Sequence, residues 1–174
     1  MTLTLYLLRH AKAEIGKPAQ ADHDRALNAR GRKAAKTMCR VLRDLEPELD
    51  LVGCSTARRT RQTLAGVHDG IGKTRIRFSR DLYLASADGL LDYLAALPDT
   101  AHTIMLIGHN PGLHDLAISL TGAAARGQAR ARMRMIEKFP TGALCEIKFQ
   151  QTSWKKIAPG TGTLQNFVRP RDLD

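Results

Sequence analysis

Arg9-His10, the segment from Ser55 to Thr63 (STARRTRQT) and Gly108-His109-Asn110 each bring imidazole or guanidinium groups to the end of an apolar run. Any one of them fits a strand that simply emerges into water. Together they fit something more specific. Arginine presents a rigid fork of donors that matches the oxygens of a phosphoryl group and stays charged at any working pH. Histidine adds imidazole donors that titrate near neutrality. Two guanidinium forks and two imidazoles are what a doubly charged phosphoryl group needs around it.

For the clusters to meet, strands must deliver them to one rim. Runs at 3–8, 51–54, 75–78 and 103–107 read as strands, the last almost wholly apolar, as in the interior of a parallel sheet. Between them lie amphipathic stretches. Asn28 is an N-cap candidate for a helix over 29–45, where Ala34, Ala35, Met38, Val41, Leu42 and Leu45 recur at helical spacing. Further helices are expected over about 57–69, from Ser86 or Asp88 to Leu97 ahead of Pro98, and after Pro111 with Leu113, Leu116, Ala117 and Leu120 inward. The alternation predicts one α/β domain over 1–174, a three-layer α/β/α sandwich on a mostly parallel sheet. Residues 143–149 and 162–168 read as a closing antiparallel pair. The segment 122–135 (GAAARGQARARMRM) has no clear apolar period and reads as a mobile loop or a ragged basic helix, and RPRDLD reads as a surface tail. In such sheets ligands collect beyond the carboxyl ends of the strands, where helix N-termini near Ala57 and Pro111 would add positive charge.

Composition narrows the partners. Lys and Arg number 27 against 17 Asp and Glu, a net charge of +10 that attracts phosphate esters, acidic proteins or nucleic acid. Only 5% of residues are aromatic and no basic run is interleaved with rings, which argues against a base-stacking surface and hence against nucleic acid. Cys39, Cys54 and Cys145 are odd in number and widely spaced, as reduced core residues would be. Neither C-x-x-C nor H-x-x-x-H occurs, so no metal and no cofactor is expected. No apolar run is long enough to cross a membrane, and the start of the chain carries no export pattern, so a cytoplasmic location without membrane attachment is expected.

LRHA after the first strand, Ser55-x-x-x-Arg59-x-x-Gln62-Thr63 after the second and GHNP after a later one resemble the histidine phosphatase superfamily, whose fold is phosphoglycerate mutase-like. The short length without a large insertion is most similar to its SixA-type phosphohistidine phosphatases. The resemblance implies that His10 is the nucleophile, that Arg9 and Arg59 clamp the phosphoryl oxygens, and that His109 donates a hydrogen bond to the same group. It also implies a metal-independent hydrolase whose partner is a phosphorylated protein or a small phosphate compound. His23, His68, His102 and His114 have no motif context and are read as structural or solvent-facing, and Arg32, Arg58 and Arg61 as surface charge.

The pattern is incomplete in one place. Members that act on phosphate esters carry a Glu as proton donor after the third strand, whereas the comparable stretch here, SRDLYLASAD, offers Asp81 as a weak acid and Asp88 but no Glu. An alkoxide leaving group needs a proton, while an imidazole protonated on its other nitrogen departs neutral. The sequence therefore favours phosphohistidine on a protein. The alternatives are a small-molecule phosphomonoesterase or mutase-like enzyme using Asp81, and a non-catalytic phosphate-binding module. Ala11 stands where the family often has Gly, and its methyl is expected to narrow the pocket. Lys12 and Glu14 are read as an exposed ion pair or as the entrance to the site, and the basic segment 126–134 as a dock for an acidic partner.

Overall fold

The alternation of the first strand decides the layering. A computed structural model describes residues 2–173; Met1, and Asp174 at the end of the expected surface tail, lie outside the described residues. In β1 (Leu3–Arg9), Leu3, Leu5 and Leu7 point into one apolar layer and Tyr6 and Leu8 into the other, because successive side chains of a strand face opposite ways. The strand at Thr103–Gly108 repeats this with Ile104 and Leu106 on the first side and Met105 and Ile107 on the second. Helices α1 (Ala29–Leu45) and α2 (Arg58–Val67) cover one face through Met38, Leu42, Leu64 and Val67. Helices α3 (Ala87–Ala95), α4 (Gly112–Leu120) and α5 (Ala129–Glu137) cover the other through residues such as Leu94, Leu116 and Met135. Each fully buried leucine contributes roughly 2 kcal/mol of transfer free energy.

The other strands are β2 (Leu51–Ser55), β3 (Arg75–Ser79), β5 (Thr121–Ala124), β6 (Leu144–Phe149) and β7 (Gly162–Val168), with Thr103–Gly108 as β4. Their order is β3-β2-β4-β1-β6-β7-β5. The first four run parallel, β6 is antiparallel to both β1 and β7, and β5 lies parallel to β7. The expected three-layer sandwich and the closing antiparallel pair are both present.

Caps explain where the helices start. Asn28 accepts from the Gly31 amide at 2.9 Å and Ser86 from the Gly89 amide at 3.1 Å. Gly31 is also required by packing, since a Cβ there would lie 2.0 Å from the Lys12 carbonyl oxygen. The chain leaving β1 thus rests directly on the first turn of α1.

One expectation is corrected in part. The basic stretch 122–135 is a strand, a turn and a helix in succession: residues up to Ala124 pair as β5 with β7, 125–128 form a turn, and a basic helix, α5, starts at Ala129. Arg132 donates twice to the Thr121 carbonyl and Arg134 pairs with Asp172, so two of its arginines hold the fold together. The tail lies at the surface as expected, with Arg171, Asp172 and Leu173 exposed, and buried Arg169 ties it down through two bonds to Asp172.

Candidate active site

Register brings the three clusters to one edge. Arg9 lies beside Gly108 across the β1–β4 pair, and the His10 amide donates to the Gly108 carbonyl at 3.1 Å. β2 pairs with the other side of β4 through Cys54 and Ile107, which sets Ser55 level with Gly108 and within side-chain reach of His109. Arg9, His10, Arg59 and His109 then line one cleft of about 330 Å³, together with Asp22 and Leu84.

The hydrogen bonds assign the tautomer of His10. Its Nδ1 lies 2.8 Å from the Ala11 carbonyl oxygen, which can only accept, so Nδ1 carries the proton. Nε2 keeps its lone pair and receives the Arg59 Nε–H at 3.3 Å. Burial first, and then the positive charges of Arg59, Arg9 and Arg25, lower the His10 pKa to about 4 despite the opposing bond to Ala11. A neutral imidazole whose Nε2 keeps its lone pair toward the Arg59 guanidinium in the cleft is in the state a nitrogen nucleophile needs.

His109 is arranged the opposite way. Its Nδ1 sits 3.3 Å from the Arg59 NH2 group, which can only donate, so its proton is on Nε2 and is given to Ser55 Oγ at 2.8 Å. Burial, followed by His10 and Arg59, lowers its pKa to about 3. The two rings stand 5.2 Å apart between centroids, leaving both unprotonated nitrogens near the same guanidinium.

Arg59 is almost entirely buried at the start of α2, where Ala57 provides no side-chain cap. It also donates to the Asp22 carbonyl oxygen at 2.6 Å and to the Asp22 carboxylate at 2.9 Å. That carboxylate accepts from Tyr83 Oη at 2.7 Å and from Arg25 at 2.8 Å, and these bonds, Tyr83 foremost, hold its pKa far below the usual carboxylate range. Tyr83 in turn sets its ring edge-on to His109 at 5.4 Å. Across the cleft, among the described residues, Arg9 donates one side-chain hydrogen bond, to the Phe139 carbonyl at 3.0 Å, and its Nε is buried without a partner. Burial and the charge of Arg59 lower its pKa.

Gln62 and Thr63 turn out to be struts for this edge. Gln62 Oε1 accepts from the Leu27 amide and Thr63 Oγ1 from the Ala11 amide, at 2.7 and 2.9 Å, which pins both ends of the loop that follows β1. The Ala11 methyl points into a small cluster with Leu27 and Ala35 and does not narrow the cleft. Asp81 is not brought in: it is exposed, bonds to Ser79 within its own turn, and does not line the cleft. Lys12 does line it, and among the described residues no ion pair joins Lys12 to Glu14. Nor does any residue of 126–134 reach it. Leu84 holds a left-handed backbone, φ 51°, at the rim, a conformation uncommon for leucine and most often found at functional sites.

Asp22, Arg25 and Tyr83 were not singled out in the sequence. Asp22 is one of two aspartates in ADHD, and nothing local distinguishes it from Asp24, since its partner Arg59 lies 37 residues away. Tyr83 carried one usable signal, its place in the segment where esterases keep their acid. His23 also gains a role, with Nε2 3.0 Å from Thr56 Oγ1 and its ring against Tyr83. Among the described residues no three His, Cys, Asp or Glu side chains converge as a metal site would require.

A model of the histidine phosphatase superfamily (branch 1) matches residues 5–83. A solved structure described as a proposed phosphohistidine phosphatase SixA of Nakamurella multipartitia is 30% identical, superposes with a TM-score of 0.81, and the match covers 98% of this chain and 97% of that one. The chain belongs to the histidine phosphatase superfamily. Within the superfamily it is SixA-type: a similarly described SixA of Agrobacterium tumefaciens superposes at TM-score 0.79 with 27% identity, covering 97% of this chain and 98% of the other. An uncharacterized protein of Mycobacterium tuberculosis is 36% identical over 164 residues, 94% of this chain and 100% of its own length. The phosphoglycerate mutase-like architecture is shared with these superfamily neighbours. Membership together with SixA-like neighbours supports a phosphatase.

Proposed function

We propose that the protein is a metal-independent phosphatase that passes a phosphoryl group through His10 and that its substrate is phosphohistidine on another protein. The observation that carries this is the tautomer of His10, whose Nε2 lone pair is aimed into a cleft walled by Arg9 and Arg59. Nε2 attacks phosphorus, the phosphorus–nitrogen bond of the substrate breaks, and the substrate imidazole leaves neutral if its other nitrogen already bears a proton. Water then attacks phosphorus on His10, restoring the lone pair and releasing inorganic phosphate. Charge spread over the non-bridging oxygens is met by the two guanidinium groups, and fixed donors of this kind are usually the largest single catalytic contribution. The incoming dianion reverses the field that keeps His109 neutral, so Nδ1 gains a proton and donates to it.

The leaving group decides between substrates. Among the described residues lining the cleft, Asp22 is the one carboxylate, and Tyr83, Arg25 and Arg59 hold it ionised. It has no proton to give an alkoxide. A phosphorus–nitrogen bond needs none.

The test is to mix wild type and His10→Ala with a phosphohistidine peptide, quench rapidly without acid, and measure label on the enzyme and phosphate released. Alkali-stable, acid-labile label on wild type alone, with release reduced roughly 10⁴-fold or more in the variant, is the expected result. Equal release from both proteins without label would refute the assignment.

A further inference from the structure

The cleft continues past His10. Lys12 and Thr141 line both it and an adjoining hollow of about 310 Å³, whose other walls include Arg30, Pro140, Pro170 and Arg171. Among the described residues that line this hollow are three cationic side chains and no carboxylate. Among the described residues, Lys12, Arg30 and Arg171 make no ion pair or side-chain hydrogen bond with the protein. Several arginines elsewhere are engaged instead: Arg132, Arg134 and Arg169 by carbonyls or by Asp172, and Arg59 by Asp22.

The placement of Arg30 runs against local preference. The first turn of α1 carries Arg30 and Arg32 and no acidic residue, although a helix N-terminus favours negative charge. A chain that departs from such a rule without local compensation is most readily explained by an external anion. The anion that fits is a carboxylate. A nucleic acid strand would want aromatic faces beside the cations, and the walls supply prolines.

We propose that this hollow binds acidic side chains flanking the phosphohistidine of the substrate protein, which rests on the function proposed above. The shared wall of Lys12 and Thr141 makes the groove continuous with the cleft, so a polypeptide whose phosphorylated imidazole sits at His10 can lay neighbouring Asp or Glu side chains against Arg30 and Arg171. Exposed pairs of this kind contribute modestly to affinity and more to selection and encounter.

The experiment compares two phosphohistidine dodecapeptides, identical but for Asp and Glu flanks in one and Asn and Gln in the other, on wild type and R30E/R171E. Lys12 stays unaltered because it lines the cleft, and Glu at position 30 suits the start of a helix, so folding is not threatened. Wild type is expected to prefer the acidic peptide by roughly tenfold in kcat/KM at low salt, the preference shrinking as salt rises. The double variant should lose it while hydrolysing phosphoramidate at the wild-type rate. Equal kcat/KM for both peptides on wild type, or a preference that survives the double change, overturns the groove. Anisotropy with the unphosphorylated acidic peptide separates the two ideas. If wild type cleaves no phosphohistidine yet binds that peptide through Arg30 and Arg171, the activity fails and the groove stands. If cleavage proceeds with neither binding nor preference, the groove fails and the activity stands. Tighter binding of oligo(dT) through the same arginines overturns the acidic-peptide occupant.

Discussion

On one flank of the cleft Arg59 gives its donors to Asp22, His10 and His109; on the other Arg9 gives one donor to a backbone carbonyl and leaves Nε buried without a partner. The first arginine is charge-compensated and aimed before any ligand arrives. The second carries its charge half-buried, with no ion-pair partner among the described residues, and its lowered pKa reports that cost. On the proposed function, one flank supplies orientation and the other supplies affinity for an incoming anion.

Substituting each arginine tests this directly and should give the largest effects. Arg9→Met and Arg59→Met are both expected to lower kcat/KM by roughly 10²–10³-fold in a phosphohistidine assay. Their stabilities should part company. Arg9→Met removes an uncompensated, half-buried cation and raises the melting temperature of the anion-free protein, whereas Arg59→Met strands Asp22 and lowers it. Melting temperatures moving in the same direction would dissolve the distinction.

Acid comes next in size. His10 and His109 titrate at about 4 and about 3 in the folded protein, below the ordinary imidazole value, so between that value and their folded pKa the unfolded chain binds more protons. Stability is fully present above about pH 6.5 and falls as pH drops toward 4, by roughly 3 kcal/mol per histidine. Denaturant titrations at pH 7 and pH 4 read the loss, and His10→Gln should reduce it. Inorganic phosphate, which favours the protonated rings, should offset part of it in wild type and less in Arg9→Met.

Asp22→Asn sharpens the comparison from the compensated side. It weakens the ionic hold on Arg59, and a fall of about tenfold in kcat/KM is expected, with phospho-enzyme still forming on His10. The depressed Asp22 pKa adds a stability contribution present above the usual carboxylate range and lost only as pH falls well below it, so wild type and variant should converge at low pH. The smallest effect belongs to Asp81→Asn, which lies outside the cleft and should leave phosphohistidine turnover within about twofold of wild type. A bell-shaped pH profile that loses its acidic limb in this variant would restore an acid role for it.

Much of this site was legible in the chain. Arg9, His10, Arg59 and His109 follow apolar runs that alternate or lie buried as strands must, and the helix over 29–45 was bounded by its cap and its period. The basic segment 122–135 was not legible, because short strands of small residues carry no periodic signal and β5 exists only by pairing with β7. The role of Gln62 and Thr63 was hidden for a related reason: their partners, the amides of Leu27 and Ala11, lie 35 and 52 residues distant.

Residue type and periodicity determined the layers and the rim that gathers two histidines and several arginines, and the motif resemblance singled out Arg9, His10, Arg59 and His109 among them, since hydrophobic alternation, strand ends and motifs are local properties of the chain. Tertiary structure decided which nitrogen of each histidine is free, that Asp22 and Tyr83 hold Arg59 while Arg9 stays uncompensated, and that Asp81 stays outside. Those outcomes depend on hydrogen-bond geometry and burial between segments far apart in sequence, quantities that no local pattern encodes.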